Sequence, residues 1–281
     1  MSIQEIVQIL IDSGIEPNEA NIEVKMLIER FCGFSAMDLI LGKKLDYEKL
    51  GIVREKAALR ARTKRPIQHI TGFADFMGEK FIVNEHVLIP RDETEILVRK
   101  AIELLPLPLG EGWGEGKAVL DIGTGSGCIA CMLAKLTGAQ VIGVDISTEA
   151  LNTALDNASR LNLFNKAIFR KSDVFSNVRE KFDVIVSNPP YIPPGTPLQQ
   201  EVKFDPKIAL FTKDEKGLEF YEKICAGAPE FLKEGGYLLF ELGAGQSQVV
   251  KLIMESCGFG SIEIIQDLAG IDRVIAGRLE V

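Results

Sequence analysis

Apolar residues recur at helical spacing through the first 65 positions of the chain. One face of the first predicted helix carries four of them, Ile3, Ile6, Val7 and Leu10. The same period predicts a second helix over residues 17–31, a third that begins at a capping-box pattern between Ser35 and Asp38, and a fourth over Tyr47–Thr63. This pattern predicts a small helical domain, which we place at residues 1–72.

The hydrophobic period changes after the fourth predicted helix. Residues 73–89 alternate between apolar and polar side chains around Gly78, which predicts a β-hairpin. Helical spacing returns over residues 92–105 and predicts a linking helix, so we treat residues 73–105 as one hairpin-and-helix segment. The next eleven residues contain two prolines and four glycines, too many for a regular element, and we place a flexible junction at residues 106–117.

Short apolar runs alternate with helical stretches from residue 118 onward. The predicted strands are residues 118–121, 140–145, 167–171, 182–187 and 236–241, and the predicted helices are residues 128–135, 149–161 and 218–232. This βαβ alternation predicts a mostly parallel sheet with helices on both faces. Two final strand-like runs, 262–268 and 273–279, are separated by four residues, which is too short for a crossover helix. We therefore predict an α/β domain at residues 118–281 that ends in an antiparallel hairpin at the sheet edge.

The composition is that of an ordinary soluble globular protein, with 46% hydrophobic and 26% charged residues among 281. No uninterrupted apolar run reaches the roughly 18 residues needed to cross a bilayer. The first residues lack the pattern of a secretory signal, so we expect a cytoplasmic protein with no membrane segment. Five scattered cysteines do not suggest a disulfide framework. Cys128 and Cys131 form a C-x-x-C pair, but no second pair of cysteine or histidine ligands lies nearby in the sequence to complete a zinc site. We expect free thiols and no bound metal.

The formal net charge of −8 is unevenly distributed. Residues 1–65 carry 11 basic and 10 acidic side chains, whereas the remaining residues carry 21 and 30, a net charge of −9. An acidic second part gives little help to a partner bound through a phosphate backbone, so we do not expect direct nucleic-acid binding. The fourth predicted helix carries a basic cluster that is a candidate surface for a partner, formed by Arg54, Lys56, Arg60, Arg62, Lys64 and Arg65.

A strand that ends in Asp121 leads into a glycine-rich turn before a predicted helix. The turn comprises Gly123, Thr124, Gly125, Ser126 and Gly127. Glycines let the backbone approach a ligand closely, and the start of the following helix faces that ligand. Asp145 ends the next strand 20 residues after Gly125, where a carboxylate can accept hydrogen bonds from both hydroxyl groups of a ribose. The spacing indicates a nucleotide-type cofactor, and residues 125–130 also match the dinucleotide pattern G-x-G-x-x-A.

Two residues after the third predicted strand fall in the same register as Asp145. Asp173 would offer a carboxylate and Val174 an apolar wall to a purine ring. A turn residue and a core valine are an equally good explanation of this pair.

The segment that follows the fourth predicted strand is Asn188, Pro189, Pro190 and Tyr191. Two prolines remove two N–H donors and stiffen the backbone. The side-chain oxygen of Asn188 and the carbonyl of Pro189 are then free to accept hydrogen bonds from one NH₂ group. Tyr191 adds a flat face on which a planar amide or base could stack. This loop predicts a binding site for a planar amino group.

These motifs resemble, in their order, a class I S-adenosylmethionine-dependent methyltransferase that modifies planar amino groups. More narrowly, the chain resembles the HemK/PrmC family of protein-glutamine methyltransferases, which act on the glutamine of the Gly-Gly-Gln motif in class I peptide chain release factors. The resemblance covers nearly the whole chain. It includes the helical amino-terminal part and the segments at residues 66–72, 81–83, 88–91 and 93–95.

The resemblance implies a Rossmann-like, mostly parallel seven-stranded sheet with an antiparallel carboxy-terminal hairpin, preceded by a small helical domain. From the self-contained helical pattern of that domain and its basic cluster, we expect it to recognise the protein substrate. The resemblance also implies S-adenosylmethionine as cofactor and S-adenosylhomocysteine as product. The implied cofactor-binding residues are Gly123, Thr124, Gly125, Ser126, Gly127, Asp145, Asp173, Val174 and Asn188. The residues implied to hold the substrate amide are Asn188, Pro189, Pro190 and Tyr191, of which Asn188, Pro189 and Tyr191 are the expected catalytic residues.

Three alternatives remain at this point. The same loop would suit an adenine amine of DNA or RNA, because it does not distinguish one NH₂ group from another. A glutamine of a ribosomal protein is a second possible substrate. The third alternative is a nicotinamide-dependent oxidoreductase or a non-catalytic nucleotide-binding module, and it leaves the segment from Asn188 to Tyr191 unexplained.

Overall fold

The computed structural model describes residues 2–105 and 116–280, which form two compact units. The first unit contains the chain up to Phe73 together with Leu198–Phe204, and the second contains Ala74–Pro197 and the chain from Asp205 onward. The segment Leu198–Phe204 thus packs with the helical residues, although it falls within the predicted domain at 118–281. Most of the predicted junction at residues 106–117 lies outside the described residues. The boundaries of the predicted domains, and the functions assigned to these domains, stay predictions.

The first unit is built from helices. They are α1 (Ile3–Asp12), α2 (Pro17–Cys32), α3 (Ala36–Ile40), α4 (Tyr47–Thr63) and α5 (Ile67–Thr71). The four helices predicted from hydrophobic spacing are confirmed, and Ser35 forms the predicted capping box with Asp38. Helices α1, α2 and α4 share a core in which the fully buried side chains include Ile6, Leu10, Val24, Leu27, Val53 and Ala57.

One residue of the basic cluster that is a candidate surface for a partner, Arg60, is not on the surface of α4. Arg60 is 1% exposed, and its guanidinium donates hydrogen bonds of 2.8–3.1 Å to the Glu23 carboxylate and another to Glu201. The helical period explains this burial, because position 60 lies on the same face as the core residues Val53 and Ala57. Two of the six basic residues are exposed, Arg54 and Arg62.

A β-hairpin and a helix begin the second unit. Strands β1 (Phe73–Phe76) and β2 (Glu79–Ile82) are joined by Met77 and Gly78, whose φ angles of 49° and 80° give the two-residue turn that suits twisted strands. Helix α6 (Thr94–Leu104) follows. The predicted hairpin is confirmed over residues 73–82, whereas residues 83–89, which the prediction included, form no strand, and the predicted linking helix is confirmed. Their apolar side chains enter the core of the second unit, including Phe76, Phe81, Leu97, Val98 and Ala101.

A seven-stranded sheet forms the centre of the second unit. Its strands are β3 (Ala118–Ile122), β4 (Gln140–Asp145), β5 (Ala167–Lys171), β6 (Phe182–Ser187), β7 (Leu232–Glu241), β8 (Phe259–Gln266) and β9 (Asp272–Leu279). Their spatial order is β5-β4-β3-β6-β7-β9-β8, with β3 to β7 parallel and β9 antiparallel to both neighbours. The predicted parallel sheet and the hairpin at its edge are confirmed.

Helices cover both faces of this sheet. The helices that contact the sheet are α6, α7 (Cys128–Thr137), α8 (Thr148–Arg160), α10 (Glu219–Phe231) and α11 (Ser247–Ser256), and the short helix α9 (Lys207–Leu210) precedes α10 in the chain. The sequence analysis did not predict α11, although its apolar residues Val249, Val250, Ile253 and Met254 recur at helical spacing. None of the helices in the described ranges is long and apolar enough to cross a membrane.

The strand order places a crevice at the carboxyl ends of β3 and β6. Strand β3 lies between β4, which follows it in sequence, and β6, which comes later, so the chain leaves β3 in one direction and returns on its other side. Connections on the two sides of such a switch point diverge and leave room between them. The glycine turn after β3 and the segment from Asn188 after β6 therefore meet at this crevice.

Candidate functional site

A cavity of about 270 Å³ lies in the second unit, at the carboxyl ends of the central strands. The glycine turn, the end of β4, the segment after β5 and the segment after β6 all line it. Eight residues of the expected cofactor set line this cavity: Gly123, Thr124, Gly125, Ser126, Asp145, Asp173, Val174 and Asn188. Pro189 and Pro190 of the expected substrate set line it as well.

Hydrogen bonds hold the glycine turn in shape. The backbone amides of Gly123 and Thr124 donate to the carbonyl of Val144, at 2.8 and 3.0 Å, and tie the turn to the neighbouring strand. The φ angles of Gly123 and Gly125 are 73° and 54°, a region in which glycine avoids the strain of a side chain. A Cβ atom at either glycine would meet no protein atom closer than 3.9 Å. The turn therefore presents bare backbone to the cavity, which suits a ligand that must approach closely.

Gly127 differs in its surroundings from the rest of the glycine turn. It does not line the cavity, and a Cβ atom there would lie 2.9 Å from the Cβ of Ala154 and 3.1 Å from the ring of Phe169. Its φ angle is 76°, at the N-cap of α7. Gly127 thus allows α7 to pack closely against α8 and β5 at the end of the turn.

Asp121 braces the turn from beneath. Its side chain is fully buried, and it accepts a 2.6 Å hydrogen bond from the hydroxyl of Thr124. Burial raises the pKa of Asp121 to about 7, against the opposing effect of that hydrogen bond.

Asp145 joins the turn to the end of β4. One carboxylate oxygen accepts a hydrogen bond from the backbone amide of Gly125 and the other from that of Ser147, each at 2.9 Å. Burial raises the pKa of Asp145, while these amides oppose the shift. Ser147 supplies the N-cap of α8, as its hydroxyl accepts from the amide of Ala150. The cap of α8 thus does not depend on Asp145, and each carboxylate oxygen of Asp145 retains capacity to accept a further hydrogen bond.

Asp173 and Val174 follow β5 at the far side of the cavity. Val174 is buried, and its positive φ of 52°, rare for a branched side chain, turns the chain at this point. The Asp173 carboxylate pairs with Lys223 at 2.7 Å. The exposed side chain of Ile146, directly after Asp145, adds a second apolar surface to the cavity that sequence reasoning missed.

The segment after β6 is anchored at both ends. The hydroxyl of Ser187 donates to the carbonyl of Ile122 at 2.7 Å, and the side chain of Gln246 donates to the carbonyl of Tyr191 at 3.2 Å. Asn188 and Pro189 lie between these anchors and line the cavity. Tyr191 does not line it, because its ring packs against the core on one face of the sheet. Burial raises the pKa of the Tyr191 hydroxyl to about 12.

Sequence reasoning missed two polar residues beside Asn188. Thr94, the first residue of α6, lines the cavity and receives a hydrogen bond of 3.4 Å from the Asn188 amide. Its hydroxyl donates at 2.6 Å to the carboxylate of Glu241, the last residue of β7. Both residues are buried. Thr94 falls in the family-like segment at residues 93–95, whereas Glu241 ends an apolar strand with no local motif to mark it.

A family model described as "Methyltransferase small domain" matches residues 100–202. A release factor glutamine methyltransferase of Geobacter sulfurreducens is 40% identical over 280 residues, covering 96% of this chain and 93% of its own length. The chain belongs to the family of release factor glutamine methyltransferases. A relative of the same name from Chlorobaculum tepidum is 37% identical and covers 91% of this chain and 89% of its own length.

Solved structures agree with this assignment at the level of the fold. A methyltransferase of Pyrococcus furiosus covers 73% of this chain and 91% of its own, with a TM-score of 0.55 and 20% identity. The hMettl16 catalytic domain, solved with an RNA hairpin, covers 81% and 83%, with a TM-score of 0.57 and 17% identity. The expected class I methyltransferase fold, the methyltransferase activity and S-adenosylmethionine as cofactor are confirmed. Because the relatives are named as methyltransferases, we reject the alternative that this protein is a nicotinamide-dependent oxidoreductase.

Proposed function

We propose that this protein transfers a methyl group from S-adenosylmethionine to the side-chain amide nitrogen of the glutamine in the Gly-Gly-Gln motif of class I peptide chain release factors. The observation that carries the proposal is that Asn188 and Pro189 line the same cavity as the glycine turn and Asp145. An acceptor pair for an amide and a site for a nucleoside thus share one space. The names of the relatives from Geobacter sulfurreducens and Chlorobaculum tepidum supply the substrate class.

We assign the cofactor to the half of the cavity formed by the glycine turn, Asp145 and the segment after β5. The bare backbone of Gly123 and Gly125 leaves space for the amino-acid part of the cofactor, and the Asp145 carboxylate is placed to accept from its ribose hydroxyls. Val174 and Ile146 supply apolar surface for the adenine. When bound, S-adenosylmethionine supplies a methyl group activated by a positively charged sulfur.

Asn188 and Pro189 solve the main chemical difficulty of the reaction. An amide nitrogen is a poor nucleophile because its lone pair is delocalised into the carbonyl. Two acceptors that hold both amide hydrogens orient that lone pair towards the methyl group and stabilise positive charge that develops on the nitrogen. The acceptors are fixed before the substrate arrives, so little reorganisation is required. The proton leaves after transfer, and no strong base is needed.

One experiment tests the substrate against its alternatives. The protein is incubated with labelled S-adenosylmethionine and, in separate reactions, unmodified release factor, ribosomal protein and DNA or RNA, and any label is located by peptide or nucleoside mass spectrometry. We expect the label on the glutamine of Gly-Gly-Gln. A release factor whose Gly-Gly-Gln is changed to Gly-Gly-Ala is the matched control. Label found only on ribosomal protein or on an adenine would overturn the proposal.

A further inference from the structure

A chain of hydrogen bonds joins Glu241, Thr94 and Asn188 beside the cavity. The Thr94 hydroxyl donates to Oε2 of Glu241 at 2.6 Å, and Nδ2 of Asn188 donates to Oγ1 of Thr94 at 3.4 Å. The Asn188 amide also lies near enough to the Glu241 carboxylate to lower the pKa of that carboxyl, against the larger effect of burial. Glu241 and Thr94 are 4% and 3% exposed, so water does not compete freely for these bonds.

The Glu241 carboxylate determines which atoms donate and which accept along these hydrogen bonds. A threonine hydroxyl has one proton, and a carboxylate can only accept. Since the Thr94 proton is committed to Glu241, the Thr94 oxygen can only accept from Asn188. The Asn188 amide must therefore present its NH₂ group to Thr94 and Glu241, which leaves Oδ1 free. With the amide turned over, Oδ1 would face two oxygens and the NH₂ group would face the substrate, where an acceptor is needed.

We propose that Glu241 is a positioning residue which, through Thr94, holds the Asn188 amide with Oδ1 available to the substrate NH₂ group. The inference rests on the proposed function of Asn188. Burying an unpaired charge is unfavourable, so a buried carboxylate calls for an explanation. Positioning of Asn188 gives Glu241 such a purpose. No lysine or arginine in the described ranges forms a salt bridge with Glu241.

We call the hydrogen bonds that join Glu241, Thr94 and Asn188 the relay. The protonation of Glu241 gives this relay a pH dependence. Burial raises the pKa of Glu241 to about 7, and the hydrogen bond from Thr94 opposes the shift. The charged or titratable groups around it are Glu93, Arg273, Tyr191, Tyr221 and Cys128, and Arg273 is itself engaged with Asp267 at 2.8 Å. A protonated Glu241 can donate to Thr94, which frees the threonine proton to approach Oδ1 of Asn188. Turnover should then fall as the pH decreases through 7.

A double-mutant cycle separates positioning from a general structural role. Single-turnover methylation and S-adenosylmethionine affinity are measured for Thr94→Val, Thr94→Ser, Asn188→Ala and the Thr94→Val/Asn188→Ala double variant. We expect Thr94→Val to slow turnover by about 10- to 100-fold, as for loss of a preorganised contact, with cofactor affinity within about threefold of wild type. Thr94→Ser, which keeps the hydroxyl, should recover most of the rate.

The double variant decides the inference. If Thr94 acts through Asn188, adding Thr94→Val to Asn188→Ala should change the rate by less than about threefold, because the orientation of the missing amide no longer matters. Rate losses that multiply would overturn the relay. Near-normal turnover of Thr94→Val would also overturn it.

A second comparison does not depend on the folding of Thr94→Val. Glu241→Gln can still accept from Thr94 through its carbonyl oxygen but cannot titrate. We expect the wild-type rate to fall between pH 8 and pH 6 and the Glu241→Gln rate to lose that step. An unchanged pH profile would contradict the relay. Methylation by the wild-type protein of a substrate other than a release factor would overturn only the proposed substrate, and the same cycle would be measured on the substrate that is methylated.

Discussion

The Asp145 carboxylate accepts a hydrogen bond of 2.9 Å from the backbone amide of Gly125. The expected ribose acceptor is therefore also a brace that holds the glycine turn against the end of β4. Removing it would change both the hydrogen bonds to the cofactor and the shape of the backbone that surrounds it. The two effects act in the same direction on affinity.

Asp145→Ala should weaken S-adenosylmethionine binding by about 1–3 kcal/mol, because charge-assisted hydrogen bonds to the ribose are lost. Isothermal titration calorimetry checks this directly. Asp156→Ala, an exposed aspartate on α8, is the matched control and should bind normally. Unchanged affinity of Asp145→Ala would contradict the cofactor assignment.

Asn188→Ala should lower the rate of methyl transfer by about 10²- to 10³-fold, the usual effect of deleting a preorganised polar contact. Cofactor binding should be affected much less than turnover. Asn188→Asp keeps an acceptor but loses the NH₂ group that faces Thr94 and Glu241, so its rate should fall between those of the alanine variant and wild type. Single-turnover assays with release factor measure these rates. Near-normal turnover of Asn188→Ala would mean that other groups hold the amide.

Tyr191→Phe should be milder than Tyr191→Ala. The Tyr191 ring packs against the core, so the phenylalanine variant keeps the packing, whereas alanine leaves a cavity that destabilises the protein by about 3–5 kcal/mol. The same assays, together with urea unfolding, distinguish loss of rate from loss of stability. A stable Tyr191→Ala variant with a large loss of rate would favour direct stacking on the substrate, as the sequence suggested.

Arg60→Ala should destabilise the protein by about 3–5 kcal/mol, because it leaves the buried carboxylate of Glu23 without its partner. Burial already raises the pKa of Glu23, and the hydrogen bond from Arg60 opposes that effect. The free energy of unfolding in urea provides the test. Arg54→Ala, an exposed neighbour on α4, should change stability by less than about 0.5 kcal/mol. Equal effects of the two variants would contradict the importance of the buried pair.

The pKa of Asp121 predicts a loss of stability as the pH rises. The folded pKa of about 7 exceeds the ordinary value of 3.8, so between these values the folded protein keeps a proton that the unfolded chain has released. The contribution is complete below pH 3.8 and is lost as the pH passes 7. From pH 5 to pH 8 the wild type should lose about 3 kcal/mol relative to Asp121→Asn, which cannot titrate. Urea unfolding of both proteins at the two pH values measures the difference, and a constant difference would contradict the raised pKa.

The sequence by itself determined most of the elements, the family and most of the predicted residues that line the cavity. Hydrophobic period depends on neighbours three, four or two positions away, so it identified α4, β4, β5 and β6 at or near their observed bounds. The glycine turn, Asp145 and the segment from Asn188 follow strands whose carboxyl ends meet at one edge of a parallel sheet. Their proximity therefore follows from topology alone.

Tertiary structure decided which of these residues face the cavity and which face the core. Gly127 and Tyr191 belong to motifs that the sequence predicts to bind ligands, yet both pack against the protein interior. Arg60 has the charge of a surface residue, but α1 and α2 cover the face of α4 that carries it. Its guanidinium also donates a hydrogen bond to Glu201, which lies 141 residues away in the chain. Thr94 and Glu241 meet Asn188 from two other elements, 147 residues apart in the chain. Contacts over such separations arise only when the chain packs, because no local period or spacing encodes them.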